Sequence, residues 1–180
     1  MPISKYLYFG DFFAIPMAVA VLAYLALAMG GLWTALNFGM SMLIGVATWT
    51  LVEYAVHRLV YHHAPVFSAL HASHHRAPNE FIGVPSFVSS GFIIVVCYFP
   101  VRMLDDVAAS GFTSGMLLGY AGYMFIHHAT HHFAIRPGDW LYEARVRHMA
   151  HHYHDSANFG VSTGFWDRVF GTRQGRFART

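Results

Sequence analysis

An uncharged run of 41 residues, positions 12–52, constrains this chain most strongly, because it contains no Asp, Glu, Lys, Arg or His. A transmembrane helix needs about 20 consecutive apolar residues. The run therefore has room for two spans, and Gly30–Gly31 near its middle is the natural turn between them. Uncharged runs at 81–101 and 107–126 each have the length of one further span.

These runs predict an all-α membrane protein with four transmembrane helices in two hairpins. A short polar turn that contains Arg102, Asp105 and Asp106 separates the third span from the fourth. The length fits one domain, residues 1–180. The spans are predicted at about 12–30, 32–56, 82–101 and 107–127.

The composition supports a membrane location and excludes other classes of protein. Hydrophobic residues make up 56% of the chain and charged residues 11%, whereas about a quarter of the residues in a soluble domain are charged. The net charge of +2 and the lack of a nucleic-acid-binding motif argue against a nucleic-acid partner. The single cysteine, Cys97, cannot form an intrachain disulfide.

The basic residues predict the orientation, because cytoplasmic loops are enriched in Lys and Arg. Arg102 alone of the eleven basic residues falls on the opposite side. Both termini and a helical cap, 57–80 with 133–180, are therefore expected in the cytoplasm. The ten residues on the cytoplasmic side are Lys5, Arg58, Arg76, Arg136, Arg145, Arg147, Arg168, Arg173, Arg176 and Arg179.

Histidines cluster at the ends of the apolar segments. Residues three or four apart share one face of a helix, and neutral imidazole is the commonest metal ligand among side chains. Ten histidines at such spacings fit two metal ions with about five nitrogens each. These ten predicted ligands are His57, His62, His71, His74, His75, His127, His131, His148, His151 and His152.

Some histidines have less certain assignments in the sequence. His57 and His62 are five residues apart, about 140° around an ideal helix, so they can serve two metals, or one metal if the helix unwinds. His63, His128 and His132 directly follow predicted ligands. We interpret these three as packing residues or as partners of the ligands. His154 has no assigned role.

The ligand types narrow the chemistry of the site. Nitrogen ligands suit Zn, Fe, Cu or Ni, and a catalytic zinc needs only three protein ligands. An all-histidine dinuclear site at a bilayer surface instead indicates oxygen chemistry in the membrane. Since only neutral imidazole binds metal, metal affinity should collapse in mildly acidic solution.

Acidic and amide residues near the clusters are candidate partners of the ligands. Glu53 precedes His57 by four residues, so it is expected either to accept that ring's other N–H or to pack as a polar group near the interface. Asp155, Asn158 and Asp167 follow the last cluster and are interpreted as orienters of ligand histidines or as helix caps.

The motifs together resemble the fatty acid hydroxylase / sterol desaturase superfamily of integral-membrane di-iron enzymes, and most closely its fatty acid 2-hydroxylase type. The histidine motifs are H-x4-H at 57–62, H-x2-H-H at 71–75, H-x3-H at 127–131 and H-x2-H-H at 148–152. Gly119-Tyr120-x-x-Tyr123 and the closing segment 158–172 also resemble this family. The resemblance covers roughly 51–172.

The resemblance implies a membrane oxygenase with two iron ions, and zinc is the alternative occupant of the same ligands in a purified or crystallised sample. Its substrates would be O2 and a lipid, of which one C–H bond is oxidised. The chain has no flavin, haem-attachment or dinucleotide-binding motif, so electrons would come from an external cytochrome b5-like or ferredoxin-like donor. Four arginines are expected either to dock that donor or to bind lipid phosphate: Arg145, Arg147, Arg168 and Arg173.

Two alternatives stay open at the level of sequence. A carotenoid or sterol hydroxylase or desaturase has the same histidine plan. A metal transporter belongs to a different class, and transporters place ionisable residues near mid-membrane. The uncharged interiors of the first three predicted spans argue against transport, since the histidines lie at span ends. The sequence leaves open the substrate, the carbon oxidised, hydroxylation versus desaturation, the electron donor and the oligomeric state.

Overall fold

The computed structural model describes residues 2–28 and 30–174, which fold into helices joined by loops, with no strand in these ranges. Arg176 and Arg179, two of the basic residues predicted to be cytoplasmic, lie outside the described residues. The elements are α1 (Lys5–Phe9), α2 (Asp11–Leu27), α3 (Leu32–Ala55), a π-helical turn (Val56–Tyr61), α4 (Pro65–Arg76), α5 (Val88–Arg102), α6 (Asp106–His132), α7 (Tyr142–Tyr153) and α8 (Phe165–Val169).

Two helical stretches, Lys5–Leu27 and Leu32–Tyr61, are long and apolar enough to cross a membrane. Large apolar side chains along both are exposed, among them Phe13 at 74% and Leu43 at 61%. Such a surface is costly in water and favourable against lipid. The turn between the stretches includes Gly30, whose φ of +78° is in the left-handed region that favours glycine.

The predicted third and fourth spans do not meet the same criterion of length and apolarity in the described residues. Helix α5 has 15 residues, since residues 82–87 ahead of it are not helical. Helix α6 is long enough, with 27 residues, but small and polar side chains lower its mean hydropathy. Thr113, Ser114 and Leu117 on α6 are all 0% exposed, so α6 packs against protein and has less need of apolar side chains.

The chain divides into two compact units, and Pro2–Trp49 with Gly83–Ala121 forms one of them. Helices α3 and α6 approach closely within this unit because glycines lie where they meet. A Cβ atom on Gly45 would collide with the Phe112 carbonyl oxygen, and one on Gly115 would collide with the Met42 carbonyl oxygen. Small residues at the contact allow the two backbones to pack directly.

Asp11 joins the start of α2 to the start of α5 in the same unit. Its Oδ1 accepts hydrogen bonds from the Phe87 N–H at 2.9 Å and the Ser90 hydroxyl at 2.7 Å. The Ser86 hydroxyl accepts from the Asp11 N–H at 3.1 Å. Asp11 is fully buried, so it satisfies donors at the start of α5 that have no water available. No motif in the sequence predicts this contact.

The other unit comprises Thr50–Ile82 and the described part of Gly122–Thr180. It includes the π-helical turn, α4, α7, α8 and the C-terminal end of α6. All ten predicted ligand histidines lie within it.

Candidate metal centre

Eight of the ten predicted ligands form two groups of four. Within each group, one ring nitrogen from each histidine lies within 4.8 Å of the others. Cluster A consists of His57, His62, His71 and His151, and cluster B consists of His74, His131, His148 and His152.

The π-helical turn Val56–Tyr61 places His57 and His62 in the same cluster. A π-helix has i→i+5 hydrogen bonds, so residues five apart lie near one face. The two ring centroids are 5.4 Å apart. The sequence left open whether His57 and His62 serve one metal or two. In the structure both lie in the same cluster, because the wider turn of the π-helix brings their rings together.

Helices α4 and α7 each contribute to both clusters, because residues three and four apart diverge slightly across one helix face. His71 of α4 joins cluster A and His74 joins cluster B. On α7, His151 joins cluster A, while His148 and His152 join cluster B. The two clusters therefore share helices α4 and α7.

His75 and His127 lie outside the two groups of four but contact them. His75 Nε2 is 2.9 Å from His71 Nε2 in cluster A, and the His75 ring stacks on His152 of cluster B at 4.2 Å. The His127 ring centroid is 4.7 Å from that of His148. His75 and His127 are thus close enough to act as a fifth ligand of cluster A and of cluster B respectively.

Two backbone carbonyls fix the tautomers of two rings in cluster A. His57 Nδ1 lies 2.6 Å from the Phe159 oxygen, and His151 Nδ1 lies 2.8 Å from the Ala157 oxygen. A carbonyl oxygen only accepts, so each Nδ1 bears the hydrogen and each Nε2 keeps its lone pair. His57 Nε2 lies 3.1 Å from His71 Nε2. Such converging nitrogen lone pairs fit a bound cation.

The nitrogens of cluster B also fit a metal ion. His148 Nε2 lies 2.8 Å from His131 Nε2 and 3.2 Å from His152 Nε2. His74 Nε2 is buried and has no hydrogen-bond partner among the described residues. An unsatisfied buried polar atom costs about 1–3 kcal/mol, and coordination to a metal would remove that cost.

Four histidines of α4 and α7 are held neutral. Burial and neighbouring histidines lower the pKa of His74 and of His152 to about 3. Burial lowers the pKa of His75 and of His151 to about 4, although the Ala157 carbonyl opposes this for His151. These rings are therefore neutral at pH 7, the form in which imidazole binds metal.

Acid is expected to release metal by unfolding the site. The ordinary pKa of histidine is 6.5 and the folded pKa of His74 is about 3, so between these pH values the unfolded chain binds more protons than the folded chain. Stability therefore falls as pH falls below about 6.5. We predict that bound metal and helical circular dichroism decrease together from pH 6.5 towards pH 4. Metal loss with unchanged helicity would contradict this coupling.

The remaining four histidines lie outside both groups. The rings of His128 and His132 stack on each other at 4.2 Å, and His132 also stacks on Phe81 at 5.9 Å. His63 and His154 are exposed. These positions agree with packing or surface roles.

The expectation that Glu53 accepts the His57 N–H is wrong, because the Phe159 carbonyl accepts it. Glu53 is buried, at 3% exposed, and its carboxylate accepts from the amides of Val161 at 2.7 Å and Ser162 at 2.9 Å, and from the Ser162 hydroxyl. Glu53 therefore binds the loop that bears the Phe159 carbonyl.

Asn158 and Asp167, interpreted from sequence as orienters or caps, are both buried, whereas Asp155 is exposed. Asn158 Oδ1 accepts from the Gln174 N–H at 3.0 Å. Asp167 accepts from the Phe159 N–H at 2.8 Å. The two buried residues bind backbone near the ligands and make no direct hydrogen bond to a ligand ring.

Two of the four arginines considered for partner docking have structural roles. Arg145 donates to the carbonyls of Thr130 at 3.1 Å and Phe133 at 2.7 Å, at the end of α6. Arg147 is partly buried and donates to two loop carbonyls. The exposed pair, Arg168 and Arg173, can contact a partner.

Comparison with known proteins identifies the class. The family model described as "Fatty acid hydroxylase" matches residues 42–172, and the chain belongs to this family. The predicted membership is confirmed.

Individual relatives define the type within the family. The chain is 33% identical over 144 residues to "Fatty acid 2-hydroxylase" of Rattus norvegicus, covering 72% of this chain and 38% of that protein. It is 35% identical to "Ceramide very long chain fatty acid hydroxylase scs7" of Schizosaccharomyces pombe, covering 72% of this chain and 41% of that protein. The chain thus spans about two fifths of the length of these relatives.

A solved structure has the same fold. "Full length scs7p (only hydroxylase domain visible)" superposes with a TM-score of 0.76 at 27% identity. The similarity covers 95% of this chain and 68% of that chain.

Proposed function

We propose that this protein is a membrane-bound non-haem di-iron oxygenase that hydroxylates a C–H bond of a fatty acyl lipid, using O2 and external electrons. One observation carries the proposal: two groups of four histidine nitrogens lie side by side in a member of the fatty acid hydroxylase family. The relatives are named as hydroxylases of fatty acids or ceramides. These names favour a fatty acyl substrate over a sterol or carotenoid, and hydroxylation over desaturation or metal transport.

The ten histidines are the proposed ligands, five for each metal. Cluster A with His75 would hold one ion, and cluster B with His127 would hold the other. When bound, iron ions supply the redox chemistry that activates O2 toward an unactivated C–H bond. The protein keeps the imidazoles neutral and fixes the Nδ1–H tautomer at His57 and His151.

The proposed topology brings an acyl chain to the site. The four predicted spans would cross the bilayer, with the metal-binding residues and both termini on the cytoplasmic side. The exposed apolar surfaces of Lys5–Leu27 and Leu32–Tyr61 support insertion of the first hairpin. Ligands at the cytoplasmic ends of spans would hold the metals near the bilayer surface, within reach of a lipid that stays in the membrane.

Electrons are proposed to come from a separate cytochrome b5-like or ferredoxin-like protein. Such carriers are commonly acidic, so the exposed Arg168 and Arg173 would favour their approach by charge complementarity. Neutralising both arginines would then slow electron delivery more at low ionic strength than at high ionic strength.

Mass spectrometry of total lipids tests the proposed activity. Cells that express the chain should contain a lipid series heavier by one oxygen than the lipids of cells with an empty vector. A series lighter by two hydrogens would indicate a desaturase. An unchanged lipid profile, with iron bound and a reductase supplied, would contradict hydroxylation of a host acyl lipid.

A further inference from the structure

The loop after α7, residues 157–162, bears both carbonyls that bind cluster A. The Ala157 oxygen accepts from His151 Nδ1 at 2.8 Å, and the Phe159 oxygen accepts from His57 Nδ1 at 2.6 Å. The hydrogen bonds of the cluster B rings in the described residues instead join those rings to one another. The conformation of this loop therefore affects one cluster selectively.

Asp167 binds the Phe159–Gly160 peptide group on the side opposite to its carbonyl oxygen. Its carboxylate is 0% exposed and accepts from the Phe159 N–H at 2.8 Å and the Gly160 N–H at 2.9 Å. A trans peptide points its N–H and C=O in opposite directions, and the described residues contain no cis bond. The Phe159–Gly160 peptide thus has Asp167 on its N–H side and His57 on its C=O side.

Asp167 also holds the Ala157–Asn158 peptide group, through Thr172. The Asn158 N–H donates to the Thr172 carbonyl at 2.9 Å, opposite the Ala157 oxygen that accepts from His151. The Thr172 hydroxyl donates to Asp167 Oδ1 at 2.8 Å, and the Thr172 N–H donates to the Asp167 carbonyl at 2.9 Å. One buried carboxylate therefore organises both peptides that face cluster A.

Two more side chains, the partly buried Arg147 and the buried Glu53, hold the rest of the loop. Arg147 donates to the carbonyls of Gly160 and Val161, each at 2.8 Å. Glu53 accepts from the amides of Val161 and Ser162. The N–H groups of 159–162 are thus all bound by carboxylates, so rotation of the peptides would leave polar groups of this loop unpaired.

We propose that Asp167 is a positioning residue for the cluster A metal, fixing the tautomer and ring orientation of His57 and His151 through these two peptides. The proposal rests on the metal-binding function proposed above. A carbonyl partner raises the basicity of a ligand imidazole, and a hydrogen bond on the N–H side of the same peptide polarises that carbonyl further.

The test uses Co²⁺ alone as the probe, with the full chain purified in detergent. His148→Ala leaves cluster A intact, and His151→Ala leaves cluster B intact. Adding Asp167→Asn to the His148→Ala chain should weaken Co²⁺ binding by about 10–100-fold, the usual effect of removing an outer partner. Adding it to the His151→Ala chain should leave the affinity unchanged. Asp139→Asn, the same change at an exposed residue, is the matched control.

Each outcome decides the proposal. Equal losses in both backgrounds would mean that Asp167 only supports folding, and no loss in the cluster A background would overturn its positioning role. Thr172→Val removes the hydroxyl that donates to Asp167 and also contacts the Tyr54 hydroxyl. It should give a smaller loss confined to the cluster A background. Parent chains that bind no Co²⁺ would contradict the histidine metal site itself, and the positioning role with it.

Discussion

In cells that express the His151→Ala chain, the hydroxylated lipid should fall by on the order of 100-fold or more relative to the unchanged chain. His151 is fully buried in cluster A, and its Nδ1 hydrogen bond to the Ala157 carbonyl directs Nε2 into the cluster. Truncation removes one of four converging nitrogens and leaves that carbonyl without its donor. Lipid mass spectrometry at matched protein levels measures the product.

Metal content should change with the product. The unchanged chain should bind two metal ions, and the His151→Ala chain should retain about one, because cluster B has its own four histidines. His154→Ala is the matched control, since it removes an exposed histidine three residues further along. That control should keep both the metal and the product. A His151→Ala chain with full product would exclude His151 as an essential ligand, and altered metal flux without any product would favour transport.

Much of the site could be predicted because its ligands lie on regular helices. The i, i+3 and i+4 spacing of His71, His74 and His75 places them on one helical face whatever the tertiary structure. The same spacing on α7 brings His148, His151 and His152 together. Local periodicity therefore indicated which histidines converge, and their number indicated two metals before any geometry was known.

The division of the histidines between two clusters could not be predicted, because it depends on tertiary contacts. The π-helical turn Val56–Tyr61 brings His57 and His62 together, and no residue type in that segment specifies a π-helix. Of the two roles left open for Glu53, the hydrogen bond to His57 was wrong for a related reason. Helical spacing placed it beside His57, but its partners are Val161 and Ser162, more than 100 positions away in the chain.

The predicted spans agree best with the structure in the first hairpin, whose large apolar side chains are exposed. The run 12–52 has no charged residue, and it contains most of the two stretches that meet the criterion for crossing a membrane. Helix α6 packs against protein instead, so Gly111 and Gly115 serve close helix contact there. An apolar sequence identifies a membrane-spanning helix that is exposed to lipid. It is a weaker guide to a membrane-spanning helix that is covered by neighbouring helices.

Removing the metals should lower the thermal stability of the purified chain by about 10 °C or more. A ligand that binds only the folded state at 1,000 times its Kd adds about 4 kcal/mol, and each kcal/mol shifts Tm by about 2–4 °C in a domain of this size. The structure gives the physical reason. His74 Nε2 and His148 Nδ1 are buried without a hydrogen-bond partner among the described residues, so the metal-free fold bears unsatisfied nitrogens.

Thermal unfolding followed by circular dichroism, before and after chelation, measures this shift. Adding Fe²⁺ or Zn²⁺ back should restore Tm, because both ions accept imidazole ligands. Mg²⁺ should not restore it, because it prefers oxygen ligands in octahedral geometry. The His151→Ala chain should show a smaller shift on chelation, since it has one complete cluster to lose. Buried imidazoles that converge this closely cannot bind a metal ion without stabilising the helices that bear them. Equal melting temperatures with and without metal would therefore contradict coupling between the histidine clusters and the fold.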